Sequence, residues 1–474
     1  MKIKRTLLRI LVVLLALILA ALILGGLWFK QNYIKVQNTY ISKDLTSVTV
    51  TALSNVDVIA MDQMGALEEV DARGCRDYKL LYTLQKRHPG LKIRYTVCLD
   101  GVEYPQDATE VKLTKLTEEE LPLFAHLPQL ASVDARECTD YALLQQLSDQ
   151  LSGCEISYTL PIGGQEYPTD VTALELTGTT EEDLQMLPYL PQLRTVHITE
   201  PAADAQAFIK AVESLPQVTF SWEKEVMGIT VTSADTELSF AGMPMDSFRE
   251  ISDALAYFPA LEKVDMSNCG FDNETMAAFR EEKRKEYKVV WTVQCGKLTA
   301  RTDDIFFMPV KYNVYYFHDS DAYNLRYCED MICIDLGHMS IKDLSFVEFM
   351  PHLRYLVLAH TTVLDIGPLS SCKELAFLEL DWTAISDYEP LLGCTGLEDL
   401  NLGLTYGDPE IIAQMTWLKN LWWKGAKYKT QELLRQSLPD TYMMFTSSYT
   451  VGSGWRELPN YYAMRDILGM HYMK

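Results

Sequence analysis

The chain has ten cysteines but no Cys-x-x-Cys pair, so the usual signature of zinc ribbons and dithiol redox centres is missing. It also lacks His-Glu-x-x-His, Gly-x-Ser-x-Gly, a P-loop and the glycine fingerprint of dinucleotide folds. Asp319-Ser-Asp321 is not followed by the rest of a calcium loop. Cationic side chains are scarce, with 42 Lys and Arg against 65 Asp and Glu. So acidic a surface repels nucleic acid and anionic lipid, and neither is expected as a partner. The reading is therefore of a non-enzyme that needs no cofactor and no metal. Gly and Pro are at ordinary levels and 48% of residues are hydrophobic, which is enough to fill a core and argues against long disorder.

Charge is absent altogether from residues 10–29. As a helix these 20 residues span about 30 Å, the thickness of a bilayer core. Lys2, Lys4, Arg5 and Arg9 precede the run, and Trp28 lies where an interfacial aromatic belongs. The positive-inside rule then keeps residues 1–9 in the cytoplasm as a short stub and sends the rest across. A cleaved signal peptide is the rival. It should have a shorter apolar stretch and a small-x-small site, whereas this run ends Leu-Gly-Gly-Leu-Trp-Phe. Either way residues 31–474 are exported, with 37 basic against 65 acidic residues, a formal charge of −28.

What the chain does have is repetition. Leu353-Arg-Tyr-Leu-Val-Leu-Ala-His-Thr361 is followed by Leu375-Ala-Phe-Leu-Glu-Leu-Asp-Trp-Thr383 and Leu397-Glu-Asp-Leu-Asn-Leu-Gly-Leu-Thr405. Weaker copies start at Met331 and Leu418, giving spacings of 22, 22, 22 and 21 residues. Each strong copy leads to an apolar residue, a spacer and an aspartate, as at Asp343, Asp365 and Asp387, with Asp408 the fourth of the series. The pattern resembles the 22-residue leucine-rich repeat of the internalin type. The resemblance implies an α/β solenoid with a parallel β-sheet on the concave face and short helices on the convex face. Alternating leucines point inward along short strands. The aspartates suit helix N-caps, and Asp408 precedes Pro409, a favoured first helical residue. Thr361, Thr383 and Thr405 stand where such repeats usually place Asn. Their hydroxyls are expected to bond turn backbone in the neighbouring coil.

A longer repeat precedes these coils. Val111-Lys-Leu-Thr-Lys-Leu-Thr-Glu-Glu-Glu-Leu121 returns 63 residues later as Leu174-Glu-Leu-Thr-Gly-Thr-Thr-Glu-Glu-Asp-Leu184, and Asp71-Ala-Arg-Gly-Cys75 returns as Asp134-Ala-Arg-Glu-Cys138. Each unit reads as two coils and an extra hairpin, the hairpins starting near Ile93, Ile156 and Val289. The expected layout is a stub at 1–9, a transmembrane helix at 10–29, a linker at 30–47 and an irregular leucine-rich-repeat array at 48–300. An aromatic-rich junction at 301–330 follows, then short repeats at 331–426 and a C-terminal helix, hairpin and cap at 427–474. The tail is expected to cover the end of the solenoid, or else to bind a ligand.

Cys372 and Cys394 occupy one position in successive coils, within reach of a disulfide but equally suited to packing. Cys75–Cys98, Cys138–Cys154 and Cys269–Cys295 are further possible pairs. Aligned repeats give outward columns on the sheet: Cys333, Tyr355, Phe377, Asp399 and Asn420; then Asp335, Val357, Glu379, Asn401 and Trp422; then Gly337, Ala359, Asp381, Gly403 and Lys424; and at the edge His338, His360, Trp382, Leu404 and Gly425. Tyr355, His360, Phe377, Glu379, Asp381, Trp382 and Trp422 are accordingly the candidate ligand-binding residues, because aromatic anchors beside charges make interface hot spots and sugar platforms. Trp423 is in register with the leucines and belongs to the core. The expected function is binding of a protein or cell-envelope glycan through the concave sheet of a membrane-anchored, extracytoplasmic protein. The alternative is a structural envelope component that self-associates.

Overall fold

The computed structural model describes residues 2–446, 449–452 and 454–470. Met1 of the expected stub and residues 447, 448, 453 and 471–474 of the expected cap lie outside the described residues. The chain divides into two compact units, residues 1–223 and 224–474.

The first unit begins with one helix, Lys2–Asn32. Its stretch Ile10–Asn32 is long and apolar enough to cross a membrane, and none of that stretch is buried by the rest of the chain. Residues 30–47, expected as a linker, instead form a hairpin of Tyr33–Val36 and Thr39–Ser42. Its turn residues Gln37 and Asn38 both have positive φ, which suits the twist of a two-residue hairpin. Phe29 stacks on Tyr33 at 4.8 Å and meets Tyr40 edge-on at 5.0 Å, and Lys43 N donates to Asn32 O at 2.8 Å. Helix and hairpin are thus fastened together.

Three-stranded parallel modules follow. They begin at Ser47, Glu110 and Ala173 in the first unit, and a fourth begins at Glu237 in the second. In the first module Val48, Val70 and Ile93 pair side by side, all buried. The third strand of a module runs on into an antiparallel hairpin, as Lys92–Leu99 does with Val102–Pro105. Hairpins at Thr159–Ile162 with Gln165–Pro168, and at Thr292–Cys295 with Leu298–Arg301, match the sequence expectation. A fourth turn at Met227 and Gly228, both with positive φ, leads from Thr219–Val226 to Ile229–Thr232.

One bond shows that the first hairpin belongs to the same series. Gln37 N donates to Asp57 Oδ1 at 2.8 Å, Asp100 N to Glu120 Oε1 at 2.7 Å, and Gly163 N to Asp183 Oδ1 at 2.7 Å. Each acceptor also closes its own segment's start, through Ser54, Thr117 and Thr180. The hairpin after the apolar helix is therefore tied to the coil that follows it in the same way as the later hairpins are.

The second unit carries a seven-stranded parallel ladder, from Phe306–Phe307 to Tyr442–Met444. It extends one coil beyond the 331–426 segment at each end, taking its first strand from the expected junction. Ile334, Leu356, Leu378, Leu400 and Leu421 pair across successive strands and are fully buried. Each three-residue strand is followed by a turn and, further along the coil, by a short helix. Ser345–Phe349, Gly367–Ser371 and Glu389–Gly393 are 3-10 turns, whereas Pro409–Ile412 and Tyr428–Ser437 are α-helical. Asp343, Asp365, Asp387 and Asp408 each accept the backbone N–H two residues on, at 2.8 to 2.9 Å. The threonines bond differently from expectation. Thr361, Thr383 and Thr405 each donate to the carbonyl three residues back in their own coil, at 2.7 Å, because the chain turns there and that carbonyl is the nearest acceptor.

All ten cysteines are free thiols. Cys394 Sγ lies 3.1 Å from Leu369 O in the preceding coil, and burial pushes its pKa up to about 12, so it packs as an inert core residue.

Candidate functional site

The outward residues of the ladder are set by register. Cys333, Tyr355, Phe377, Asp399 and Asn420 form one row, and Asp335, Val357, Glu379, Asn401 and Trp422 the next. The sequence alignment gave these rows correctly. It did not give their environment. Tyr355 is 5% exposed, Phe377 0%, Glu379 6%, Asp381 1% and Trp422 2%. These five candidate ligand-binding residues do not face solvent.

The cover is the chain's own C-terminal segment. Among the described residues no hairpin forms at 442–455; Tyr442–Met444 instead adds a parallel strand, and residues 449–452 and 454–470 lie across the outer face of the sheet. Trp455 opens a short 3-10 turn, and Pro459–Ile467 is a helix with proline in its first turn. Its apolar residues Tyr461, Met464 and Leu468 recur at helical spacing and share a core with Met308, Cys333, Tyr355, Phe377, Trp422 and Trp455. Trp455 is fully buried, 4.8 Å from the Phe377 ring and 5.4 Å from that of Trp422.

Polar groups pair across the same junction. Trp455 Nε1 donates to Glu379 Oε2 at 2.7 Å, and Trp422 Nε1 to Gly452 O at 2.9 Å. Asn401 Nδ2 donates to Thr450 O at 3.1 Å, and Asn460 Nδ2 to Asp399 Oδ2 at 3.0 Å. Lys311 Nζ donates to Leu468 O at 2.7 Å. Four carboxyl groups lie under the segment. Burial pushes Glu379 up to about 8, with Asp381 and Asp335 adding like-charge repulsion against the Trp455 hydrogen bond. Burial also raises Asp335 and Asp399. Neither carboxylate oxygen of Asp381 has a hydrogen-bond partner among the described residues, and its nearest cation candidate, His360 Nε2, is 4.0 Å from Oδ2.

The edge row stays open. His338, His360, Trp382 and Leu404 have φ of 65°, 60°, 57° and 60°, and Gly425 closes the series at 90°. Side chains in that backbone region are crowded, at a cost of about 1–2 kcal/mol each. The first three rings stack face to face, His338 on His360 at 4.5 Å and His360 on Trp382 at 5.0 Å. Trp382 is 58% exposed. It borders a groove of about 750 Å³ lined by Thr362, Leu364, Leu404 and Tyr406 among others, with Lys342 the charged residue and no carboxylate. Burial, then the neighbouring His338, keeps His360 below its usual pKa.

A larger depression of about 870 Å³ lies by Arg280, Arg284, Lys288, Glu329 and Asp330. Its charges neutralise one another, Arg280 with Glu329 at 2.7 Å and Lys288 with Asp330. Among the described residues no group of three or more His, Cys, Asp or Glu is placed to hold a metal.

No protein-family model matches the chain. No curated protein matches it either. Among solved structures, internalin C2 of Listeria monocytogenes is 16% identical over 52% of this chain and 76% of its own, at a TM-score of 0.21. An internalin (inlF) of the same organism is 15% identical over 87% and 91%, at 0.24. A leucine-rich-repeat protein of Leptospira interrogans is 15% identical over 84% and 93%, at 0.19. At such scores the fold rests on the 22-residue coils and their in-register parallel strands. The coils of the second unit have the leucine-rich-repeat fold.

Proposed function

We propose that this chain is a membrane-anchored, extracytoplasmic leucine-rich-repeat scaffold that binds a protein or cell-envelope glycan along the open edge of its C-terminal array. The observation that carries the reading is the exposed His338–His360–Trp382 stack beside a groove free of carboxylates. Ring faces next to hydroxyls suit both sugar stacking and interface anchoring. An array this acidic that leaves a stacked aromatic strip exposed beside a carboxylate-free groove favours contact there. Of the seven residues named from sequence, the role falls to His360 and Trp382. The bare apolar helix Ile10–Asn32 and the basic residues ahead of it support anchoring with the N-terminus inside.

The test uses the full chain in detergent micelles, as parent and as the His360→Ala, Trp382→Ala double variant. Both are applied to a glycan panel and to fractionated envelope proteins. The proposal expects a ligand that the parent retains and the variant loses. Equal retention by both would remove the site from this edge. Protease protection of an N-terminal tag, with a C-terminal tag cleaved from outside intact cells, checks the topology.

A further inference from the structure

The segment that covers the sheet is held in the manner of a bound peptide. Asn401 and Trp422 spend their side-chain N–H groups on the main-chain carbonyls of Thr450 and Gly452, which reads a backbone and not a particular side chain. The indole of Trp455 fills a pocket between Phe377 and Trp422 and is fixed by Glu379. A short helix follows, with one apolar stripe. These are the anchor, the backbone clamps and the helix-in-groove contact by which folded domains take up peptides.

The occupant leaves part of the surface unmet. Asp381 is 1% exposed, and among the described residues neither of its carboxylate oxygens has a hydrogen-bond partner, His360 Nε2 standing 4.0 Å away. An unpaired buried carboxylate is costly, and a cation placed beside it removes that cost. Arg456 and Arg465 on the segment ease Glu379 and Asp335 electrostatically but give Asp381 no hydrogen bond.

We propose that the outer face of the second unit's sheet is a peptide-binding groove, that residues 449–470 are its resident occupant, and that its partner is a cationic peptide with an indole anchor and a short amphipathic helix. The partner displaces the resident by repeating its apolar contacts and adding a basic side chain at Asp381. This face adjoins the His360–Trp382 edge at Asp381, but the edge is tested by ligand retention in the His360→Ala, Trp382→Ala variant and the groove by peptide binding at Trp455 and Asn401, so the two proposals fail separately.

The experiment uses the full chain in micelles and two fluorescent synthetic peptides. One has the sequence of residues 449–470. In the other, Glu457 and Asp466 are replaced by Lys. Anisotropy is read for the parent, for Trp455→Ala, and for Trp455→Ala combined with Asn401→Ala or with Asp381→Asn. Trp455→Ala should bind the first peptide at least tenfold more tightly than the parent, and the basic peptide more tightly still. Asn401→Ala should abolish binding of both, and Asp381→Asn should erase the advantage of the basic peptide alone. No binding to folded Trp455→Ala overturns the proposal. Should that variant not fold, hydrogen exchange on the parent decides. Residues 455–468 must open more readily than Phe377–Glu379, and exchange of both only through global unfolding overturns the groove.

Discussion

The indole N–H of Trp455 donates to Glu379 Oε2 at 2.7 Å, between residues 76 apart in sequence and both buried. This bond joins the C-terminal segment to the middle of the sheet. Replacing Trp455 by Ala removes a fully buried ring and leaves the carboxyl group without its donor. The expected loss is about 3–5 kcal/mol, by the usual cost of such truncations. Urea denaturation followed at Trp382 and at the segment itself checks it.

The same pair makes the segment's hold pH-dependent. Burial pushes the Glu379 carboxyl up to about 8 in the folded protein, from the 4.5 of a free glutamate. Its folded pKa is raised, so its contribution to stability is full below about 4.5, shrinks as pH rises, and is gone above about 8. Asp335, Asp381 and Asp399 on the sheet, His338 and His360 at the edge, and Arg456 and Arg465 on the segment face or adjoin the same patch. Glu379→Gln keeps a neutral acceptor for the indole. The parent should lose stability relative to this variant between pH 5 and pH 9, and a constant difference across that range would refute the assignment.

Asp57 ties the first hairpin to the first repeat, accepting from Gln37 N at 2.8 Å and from Ser54 N at 2.9 Å. Asp57→Ala should cost about 1–3 kcal/mol, the range for stranding such donors. Protection of the Gln37 and Ser54 amides in hydrogen exchange should fall, while that of Val111 and Val133 in the next module is unchanged.

Tyr388 closes the coil beyond it. Its hydroxyl lies 2.6 Å from Thr405 Oγ1 and accepts from Gly407 N at 3.0 Å. Tyr388→Phe should cost about 1–3 kcal/mol. Gly407→Ala should also destabilise, because an added Cβ would collide with the Tyr388 ring. Thermal denaturation of the two variants reads both effects.

Much of this was legible in the sequence. The 22-residue period fixed the coils, and the alternation of Leu356, Leu358, Leu378 and Leu380 fixed which residues turn inward. Trp423 fell in the core as its register required, bonding Thr405 O at 3.2 Å. Register also placed the outward rows correctly. Periodicity says which side chains leave the core of the coils, but not what arrives to cover them. The return of Trp455 is a contact over 76 residues, invisible to any local pattern. A signal was present: Tyr461, Met464 and Leu468 recur at helical spacing and give the tail an apolar stripe to bury. The hairpin at 33–42 was missed because its turn, Gln37-Asn38, carries no glycine. The 63-residue step from Gln37 to Asp100 to Gly163 would have revealed it.

Trp382 should behave unlike its buried neighbours. It is 58% exposed, so Trp382→Ala should change stability by no more than about 0.5 kcal/mol, the usual limit for surface sites. A chemical melt of the variant against the parent checks this, and a large loss would make the ring structural.

The account turns on which aromatic side chains solvent can reach. Hydroxyl-radical footprinting of the full chain in micelles measures that directly. Trp382 and Tyr406 should be oxidised rapidly, and Phe377, Trp422 and Trp455 only slowly in the native protein. Rapid oxidation of Phe377 and Trp422 with Trp382 protected would mean that the sheet face is open and the edge covered, and would contradict the account.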